Sequence, residues 1–451
     1  MNVIAIFDIG KTNKKLFLFD EHYKIVWERS TVVDPVMDED GEACEDVAAL
    51  KEWFYDLLAE LSTLTEFNVR AINFSAYGAS FVHIGQDGQP VAPLYNYLKA
   101  YPEELKKKFY DTYGGEVTFS MLTASPVLGS LNSGMQLYRI KELQPELFGR
   151  IKYSLHLPQY LSYLLTGRAF SDITSIGCHT NLWNFSQANY HEWVYREGII
   201  EKLAPLEPST SVVSLEGAAA GIAGIGLHDS SAAMIPYLES FREPFVLIST
   251  GTWCISMNPF NDSPLTVAEL QKDCLCYMSY QGTPVKASRL FAGYEHEQQV
   301  RRLADHFHKL PAYLATVDFD PELVEGLKGM DAGAEDGDTV MVGASVFGQR
   351  ELTAFVSLEQ AYHRLIMDII SQQVASTQLV LAGTEVKRIF VDGGFGKNQV
   401  YMHLLADAFP GIEVYAASIP QATAMGAALA IHQYWNSRFL PGDIIELKYY
   451  K

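Results

Sequence analysis

Two aspartates and two glycine-centred turns hold most of the chemistry this chain can offer. Asp8 follows the apolar run Val3–Phe7 and opens the turn Asp8-Ile9-Gly10-Lys11-Thr12-Asn13-Lys14, which leads into Leu16–Phe19. A carboxylate at the end of an apolar strand is costly unless it holds a cation or caps the turn. One reading makes Asp8 a Mg²⁺ partner, through water, facing phosphates. The other makes it a turn aspartate bonded to its own backbone. Asp229 lies in Gly224-Ile225-Gly226-Leu227-His228-Asp229-Ser230-Ser231-Ala232-Ala233, where small neighbours leave room for a ligand. It could accept a proton from a hydroxyl as that oxygen attacks a γ-phosphate, or with Ser230 it could simply cap a helix beginning at Ser231.

The first turn has a counterpart past the midpoint. Phe245–Ile248 runs into Ser249-Thr250-Gly251-Thr252 and on into Trp253–Met257. Each reads as strand, tight polar turn, strand, and such turns point backbone N–H groups into one concavity, the usual cradle for phosphate. Two of them suggest a duplicated fold closing on a polyphosphate such as ATP. Lys11, Lys14 and Lys15 add local positive charge. A third glycine-rich stretch, Asp392-Gly393-Gly394-Phe395-Gly396-Lys397-Asn398, joins a strand to a helix and would let a base or ribose lie against backbone. It lacks the spacing of a P-loop or a dinucleotide fingerprint. His228 could bond a sugar hydroxyl or the Asp229 backbone, or be a satisfied core histidine. Tyr77 and Gly78 end a strand and could border a substrate cleft. There is no Gly-x-Ser-x-Gly elbow and no His-Glu-x-x-His.

The elements that must position these residues are written twice. Leu50, Trp53, Phe54, Leu57, Leu58 and Leu61 mark an amphipathic helix after the acidic loop Asp34–Asp46, and the strand Val69–Ser75 follows. Leu358, Ala361, Tyr362, Leu365 and Ile369 mark a second helix, followed by the strand Val386–Val391. Asn398–Phe409 then reads as a helix, Gly411–Ala416 as a strand and Gln421–Trp435 as a small-residue helix. Strands alternating with helices imply a mixed sheet with helices on its faces. The boundary between halves is expected near Pro236–Pro244. Asp331–Thr339 reads as an acidic loop, and Asp38, Glu39 and Asp40 as a solvated acidic loop whose spacing completes no EF-hand.

At 451 residues, 48% of them apolar and 20% charged, the chain exceeds one ordinary core. A net charge of −20 argues against nucleic acid or an anionic membrane as partner. Val3–Phe7 is too short for a signal region, and Gly217–Leu227 is far below the ~20 residues that span a bilayer. Five scattered cysteines without a CxxC pair, of which only Cys274-Leu275-Cys276 has any ligand-like spacing, fit buried small hydrophobes in a reducing cytoplasm.

Taken in order, Asp8-Ile9-Gly10-Lys11-Thr12-Asn13-Lys14, His228-Asp229-Ser230-Ser231-Ala232, Ser249-Thr250-Gly251-Thr252-Trp253 and Asp392-Gly393-Gly394 resemble the FGGY carbohydrate kinases, nearest their rhamnulokinase and fuculokinase branch. The resemblance implies an α/β fold of two ribonuclease H-like (actin-like ATPase) domains, residues 1–240 and 241–451, with a central cleft. It implies an ATP-dependent kinase with Mg²⁺ beside Asp8, Asp229 as general base, and Gly78, His228, Asp229 and Ser230 against the sugar. Lys11, Thr12, Asn13, Lys14, Lys15, Gly251 and Thr252 would serve the phosphates, while Gln298, Gly393, Gly394 and Asn398 would serve the nucleotide. Two departures fall on the substrate side: Leu290 stands where rhamnulokinases have Asn ahead of Gly293 and Gln298, and Tyr95-Asn96-Tyr97-Leu98-Lys99 lacks the family's acid and arginine. The acceptor would be a ketose of rhamnulose, fuculose or pentulose type. An actin-like ATP switch and a non-catalytic sugar-binding regulator are the alternatives, and homodimerisation is open.

Overall fold

The computed structural model describes residues 1–215, 221–328 and 345–451. The acidic stretch Asp331–Thr339 and most of the small-residue stretch before Gly221 lie outside them. Two seven-stranded mixed sheets organise the chain. In the first, β1 (Asn2–Ile9) pairs antiparallel with β2 (Asn13–Asp20), which pairs with β3 (Ile25–Val32). Helix α1 (Val47–Thr63), N-capped by Asp46, crosses over to β4 (Asn68–Ala76), parallel to β1. Beyond β4 lie β5 (Val212–Ser214) and β6 (Ile222–Gly224), and β7 (Leu227–His228) also pairs parallel with β4. The continuous apolar run of β1, buried on both faces, explains the element: Phe7 packs against Phe54 of α1 and Phe74 of β4, ring centroids 4.7 and 6.0 Å apart. Each such burial contributes ~1.5–3 kcal/mol, more than any helix propensity in α1 supplies.

Helix α2 (Asp229–Ser240) leads from the first sheet to the second, and Pro236 is inside it, so only residues 241–244 connect the halves, fewer than Pro236–Pro244. The second sheet repeats the plan. β8 (Phe245–Thr250) and β9 (Cys254–Asn258) form the hairpin, extended by β11 (Pro284–Leu290) and then β10 (Cys274–Met278). After α3 (Ala292–His306), the long α4 (Leu358–Leu381) crosses to β12 (Arg388–Gly393), parallel to β8, and α5 (Gln399–Ala408) leads to β13 (Glu413–Ser418). The helix expected over Gln421–Trp435 breaks. α6 spans Ala422–Ala430, and a separate turn, His432–Trp435, follows buried Ile431. Tyr23 bonds His432 there and Trp435 donates to the Ala428 carbonyl, so tertiary contacts turn the chain where composition alone would continue it. A final strand, β14 (Glu446–Tyr450), closes the sheet edge.

The two connecting helices are exchanged between the halves. Tyr237 of α2 packs on Phe245 and Phe390 of the second sheet, while α6 lies on β1 and β4 of the first. One buried cluster therefore runs from Phe17 and Phe19 through Tyr237 to Ala427 and Phe390. In the acidic loop at Asp38–Asp40, Glu39 and Asp40 are exposed as expected, but Asp38 is buried. Lys99 bonds Asp38 and Asp40 at 2.5 and 2.6 Å, and Glu39 accepts from Tyr95 and Gln144. Its charges are consumed by a network that pins the loop bearing Tyr97. All five cysteines are free and buried, Cys274 and Cys276 within one small apolar cluster. No helix among the described residues is long and apolar enough to cross a membrane.

Candidate active site

Sheet register brings the first half's polar residues to one edge. Asp8 pairs with Ser75 across β1 and β4, Leu227 pairs with Ser75 from the other side, and His228 pairs with Ala76. Three parallel strands thus end together at Asp8, Tyr77-Gly78 and His228-Asp229, the edge where open α/β sheets bind ligands. The second half matches it: Thr250 pairs with Gly393 at the ends of β8 and β12.

Asp229 is the first residue of α2, and its side chain accepts only from adjacent Ser230, not from the N–H groups two or three residues on that a cap would hold, so it does not cap a helix from Ser231. Its Oδ1 accepts the Ser230 backbone N–H at 2.6 Å and the Ser230 hydroxyl at 3.3 Å, and His228 Nε2 stands 3.2 Å away. Its Oδ2 accepts no hydrogen bond among the described residues, and 31% of the side chain is exposed to the crevice. Burial pushes the carboxyl up to about 6, offset in part by the Ser230 bonds. His228 is itself buried and held neutral, pushed down to about 4. Its Nε2 bonds Cys178 Sγ at 3.3 Å and its Nδ1 is left buried without a partner, so it is neither a fully satisfied core histidine nor bonded to the Asp229 backbone. It packs beside the carboxylate, stacked on Tyr277 with ring centroids 6.2 Å apart. Gly78 is there for space: a Cβ would stand 2.7 Å from His228 Nε2.

Asp8 faces the same crevice. Its Oδ2 accepts from Thr423 at the start of α6 at 2.7 Å, and its carboxyl is pushed up to about 6, chiefly by burial, with Asp229's charge adding to the rise. Asp8 is therefore bonded across the halves rather than to its own turn. The neighbouring lysines divide. Lys15 reaches Gln421 Oε1 at 3.5 Å, and its charge bears on Asp8. Lys14, expected on the phosphates, is 1% exposed and committed elsewhere: Glu45 at 2.5 Å and the carbonyls of Gly10 and Lys11 hold its ammonium inside the turn. Thr12 and Asn13 are exposed on the turn.

A cleft of about 630 Å³ opens beside the second turn, the size of a small cofactor site. Thr250, Gly251, Gly394 and Asn398 line it, as does Gly293 of α3. A Cβ on Gly293 would meet the Gly251 carbonyl at 1.7 Å, so this glycine lets α3 dock against the turn. That docking sets the helix phase, and His296 and Val300, three and seven positions on, line the cleft. Gln298, five positions on, faces away from it, which corrects the expected nucleotide contact. Gly393, at φ +92°, serves backbone geometry: a Cβ would lie 2.0 Å from the Thr250 carbonyl, and the residue opens on a neighbouring groove rather than this cleft. Thr252, exposed next to Gly251, accepts the Tyr294 N–H at its carbonyl. The wall that composition did not flag is His296, Tyr362 and Phe395. Asn398 donates to the Tyr362 hydroxyl at 2.7 Å, which sits 3.1 Å from His296 Nε2, and Asn398 also caps α5. Glu45 and Thr423 were likewise invisible in the chain, because only tertiary contact brings them to Lys11 or Asp8.

Two carboxyls titrating near 6 give a pH prediction. The proton-accepting form exists above that value, so kcat/KM should climb as pH rises through about 6 and level off above it. Stability moves oppositely. Both groups bind protons more tightly folded than at their ordinary value of 3.8, so their contribution is full below about 4 and lost as pH rises through about 6. Rates and unfolding midpoints measured across this range check both signs, and a flat rate profile would contradict the assignment.

Comparison with known proteins places this architecture. Residues 3–227 match the N-terminal domain of the FGGY family of carbohydrate kinases, and residues 242–320 and 354–432 match its C-terminal domain. The rhamnulokinase of Halalkalibacterium halodurans is 22% identical over 496 aligned positions, covering 100% of this chain and 99% of that protein. An L-fuculokinase of Salmonella typhi is 24% identical over 57% of this chain and 56% of its own. Among solved structures, a carbohydrate kinase from Novosphingobium aromaticivorans superposes with a TM-score of 0.79 at 24% identity, covering 99% of this chain and 96% of that one. A xylulose kinase from Lactobacillus acidophilus gives 0.77 at 18% identity, covering 100% and 94%. The two mixed sheets with their exchanged helices are the actin-like ATPase fold, and the chain belongs to the FGGY family of carbohydrate kinases: it is a sugar kinase.

Proposed function

We propose that this kinase transfers the γ-phosphoryl group of ATP to a hydroxyl of a ketose of the rhamnulose, fuculose or pentulose type. The observation that carries the reading is the asymmetry of Asp229: two Ser230 donors fix one oxygen and leave the other without a hydrogen bond on a partly exposed side chain. An acceptor hydroxyl bonded to that oxygen loses its proton to it as the hydroxyl attacks phosphorus. The residues act by placement and charge rather than by covalent chemistry. The 1–240 half supplies base and sugar contacts through Gly78, His228, Asp229 and Ser230; the 241–451 half supplies the nucleotide cleft through Gly251, Gly394 and Asn398. Thr12, Asn13, Lys15 and Thr252 lie on the phosphate turns between them.

A divalent cation fits the donor set. Asp8 and Asp229 are two carboxylates in one crevice, each pushed up by burial, and Mg²⁺ carried in with the phosphates would relieve their repulsion. Asp8 would hold it; the ion would supply charge neutralisation at the phosphates. The acceptor class is supported by relatives named rhamnulokinase and L-fuculokinase. The test is a coupled ADP-release assay with rhamnulose, fuculose, ribulose and xylulose. At least one should stimulate ADP release by an order of magnitude or more; hydrolysis indifferent to every ketose would overturn the reading in favour of an ATP-driven switch.

A further inference from the structure

The three lysines of the first turn have different surroundings, and those of Lys11 are unusual. Lys14 is sealed into the turn, and Lys15 faces Asp8 and Gln421. The Lys11 ammonium stands over the rings of Tyr77 and Tyr97, 5.2 and 5.3 Å from their centroids, with its side chain 34% exposed. Its nearest carboxylate oxygen, Glu45 Oε2, is 3.7 Å away and already accepts the Tyr77 hydroxyl at 2.9 Å. Glu45 Oε1 is held by Lys14 at 2.5 Å. One buried carboxylate thus answers two ammonium groups, and the surplus positive charge rests on the exposed one. Tyr97 ties this position to the acceptor side: its phenol is held above the usual range by burial and then by the charges of Asp229 and Glu45. Tyr77 adds a geometric tie, since adjoining Gly78 packs against His228 beside the base, so Lys11 grows from a phosphate turn and stands over a ring on the acceptor side.

We propose that Lys11 is a further catalytic residue, a cation that bonds an equatorial oxygen of the phosphoryl group while it travels from ADP to the acceptor, aimed there by the Tyr77 and Tyr97 rings. The inference rests on the ATP-dependent reading above. In the step, the bond from the γ-phosphorus to the ADP oxygen breaks as the bond to the acceptor oxygen forms, and the acceptor's proton passes to Asp229. Lys11 keeps its proton throughout and answers the charge spread over the moving group. A contact made fully only during transfer raises kcat without tightening ATP.

Lys11→Met tests this, because methionine can lie over two tyrosine rings and Glu45 keeps both Lys14 and Tyr77. The expected result is a ~10²-fold or greater fall in kcat, the scale for losing one charge-stabilising donor, with the KM for ATP within ~3-fold of wild type. Lys11→Arg, which keeps the charge, should recover part of the loss and guards against a folding defect in the methionine variant. The same ratio is read on the slow hydrolysis of ATP by water, which needs no sugar, so a wrong ketose assignment shows up as wild type lacking ketose stimulation while the Lys11 effect still registers. A raised KM for ATP with unchanged kcat would make Lys11 a ground-state phosphate ligand and overturn the proposal, as would variants indistinguishable from wild type.

Discussion

Asp229→Asn is expected to retain nucleotide binding and to lose at least ~10²-fold in turnover, the scale of a missing general base. The substitution is close to isosteric, and its consequences can be followed atom by atom. The amide oxygen can keep the two bonds now made to Oδ1 by Ser230, so the start of α2 holds its shape. The amide nitrogen then takes the position of the open Oδ2. It presents a donor to the acceptor hydroxyl where an acceptor is needed, and it has no lone pair to receive a proton. Thr250, Gly293 and Asn398, which line the nucleotide cleft, are untouched. Calorimetric ATP binding alongside steady-state turnover separates the two effects, and near-normal turnover in this variant would remove Asp229 from its role. The variant should also lose the rise in rate through about pH 6 that this carboxyl contributes.

The parts of this molecule that were legible in the chain are those set by local pattern. Both hairpins, α1 and β4 follow from apolar periodicity around glycine turns, and Asp8 and Asp229 stood out as carboxylates among small or apolar neighbours. What could not be read depends on contacts made over long separations. Three lysines in one turn look alike until buried Glu45 claims Lys14 and the Tyr77 and Tyr97 rings receive Lys11. Gln298 matches a motif spacing, but the close approach of Gly293 to Gly251 fixes the phase of α3 and turns Gln298 outward. Asp38 read as solvated like its exposed neighbours because its partner, Lys99, lies some sixty residues on. In each case the residue type was right and the direction of the side chain was decided by the fold.

That dependence is sharpest where α2 crosses α6, and Gly426→Val is expected to impair both folding and catalysis. A Cβ on Gly426 would stand 1.8 Å from the Ala232 carbonyl oxygen and 2.5 Å from its carbon, backbone that cannot rotate away. The helices must separate, and each carries a site residue three positions from the crossing: Asp229 ahead of Ala232 and Thr423 ahead of Gly426. Prying them apart draws Thr423 off Asp8 and shifts Asp229 against His228. It also strains the tie that Asn73 makes across the halves, donating to the Ala427 carbonyl at 2.8 Å while accepting the Gly226 N–H at 3.2 Å. Overpacking of this kind costs ~1–3 kcal/mol or more, enough to lower Tm by several degrees, and misplacing a base by ~1 Å can remove ~10²-fold in rate. Gly411→Ala, where a Cβ meets nothing within 4 Å, serves as the neutral control. Thermal unfolding and turnover of the two variants decide the matter: if Gly426→Val unfolds and turns over like Gly411→Ala, the crossing does not couple the two carboxylates, and their alignment must be held by the sheet ends alone.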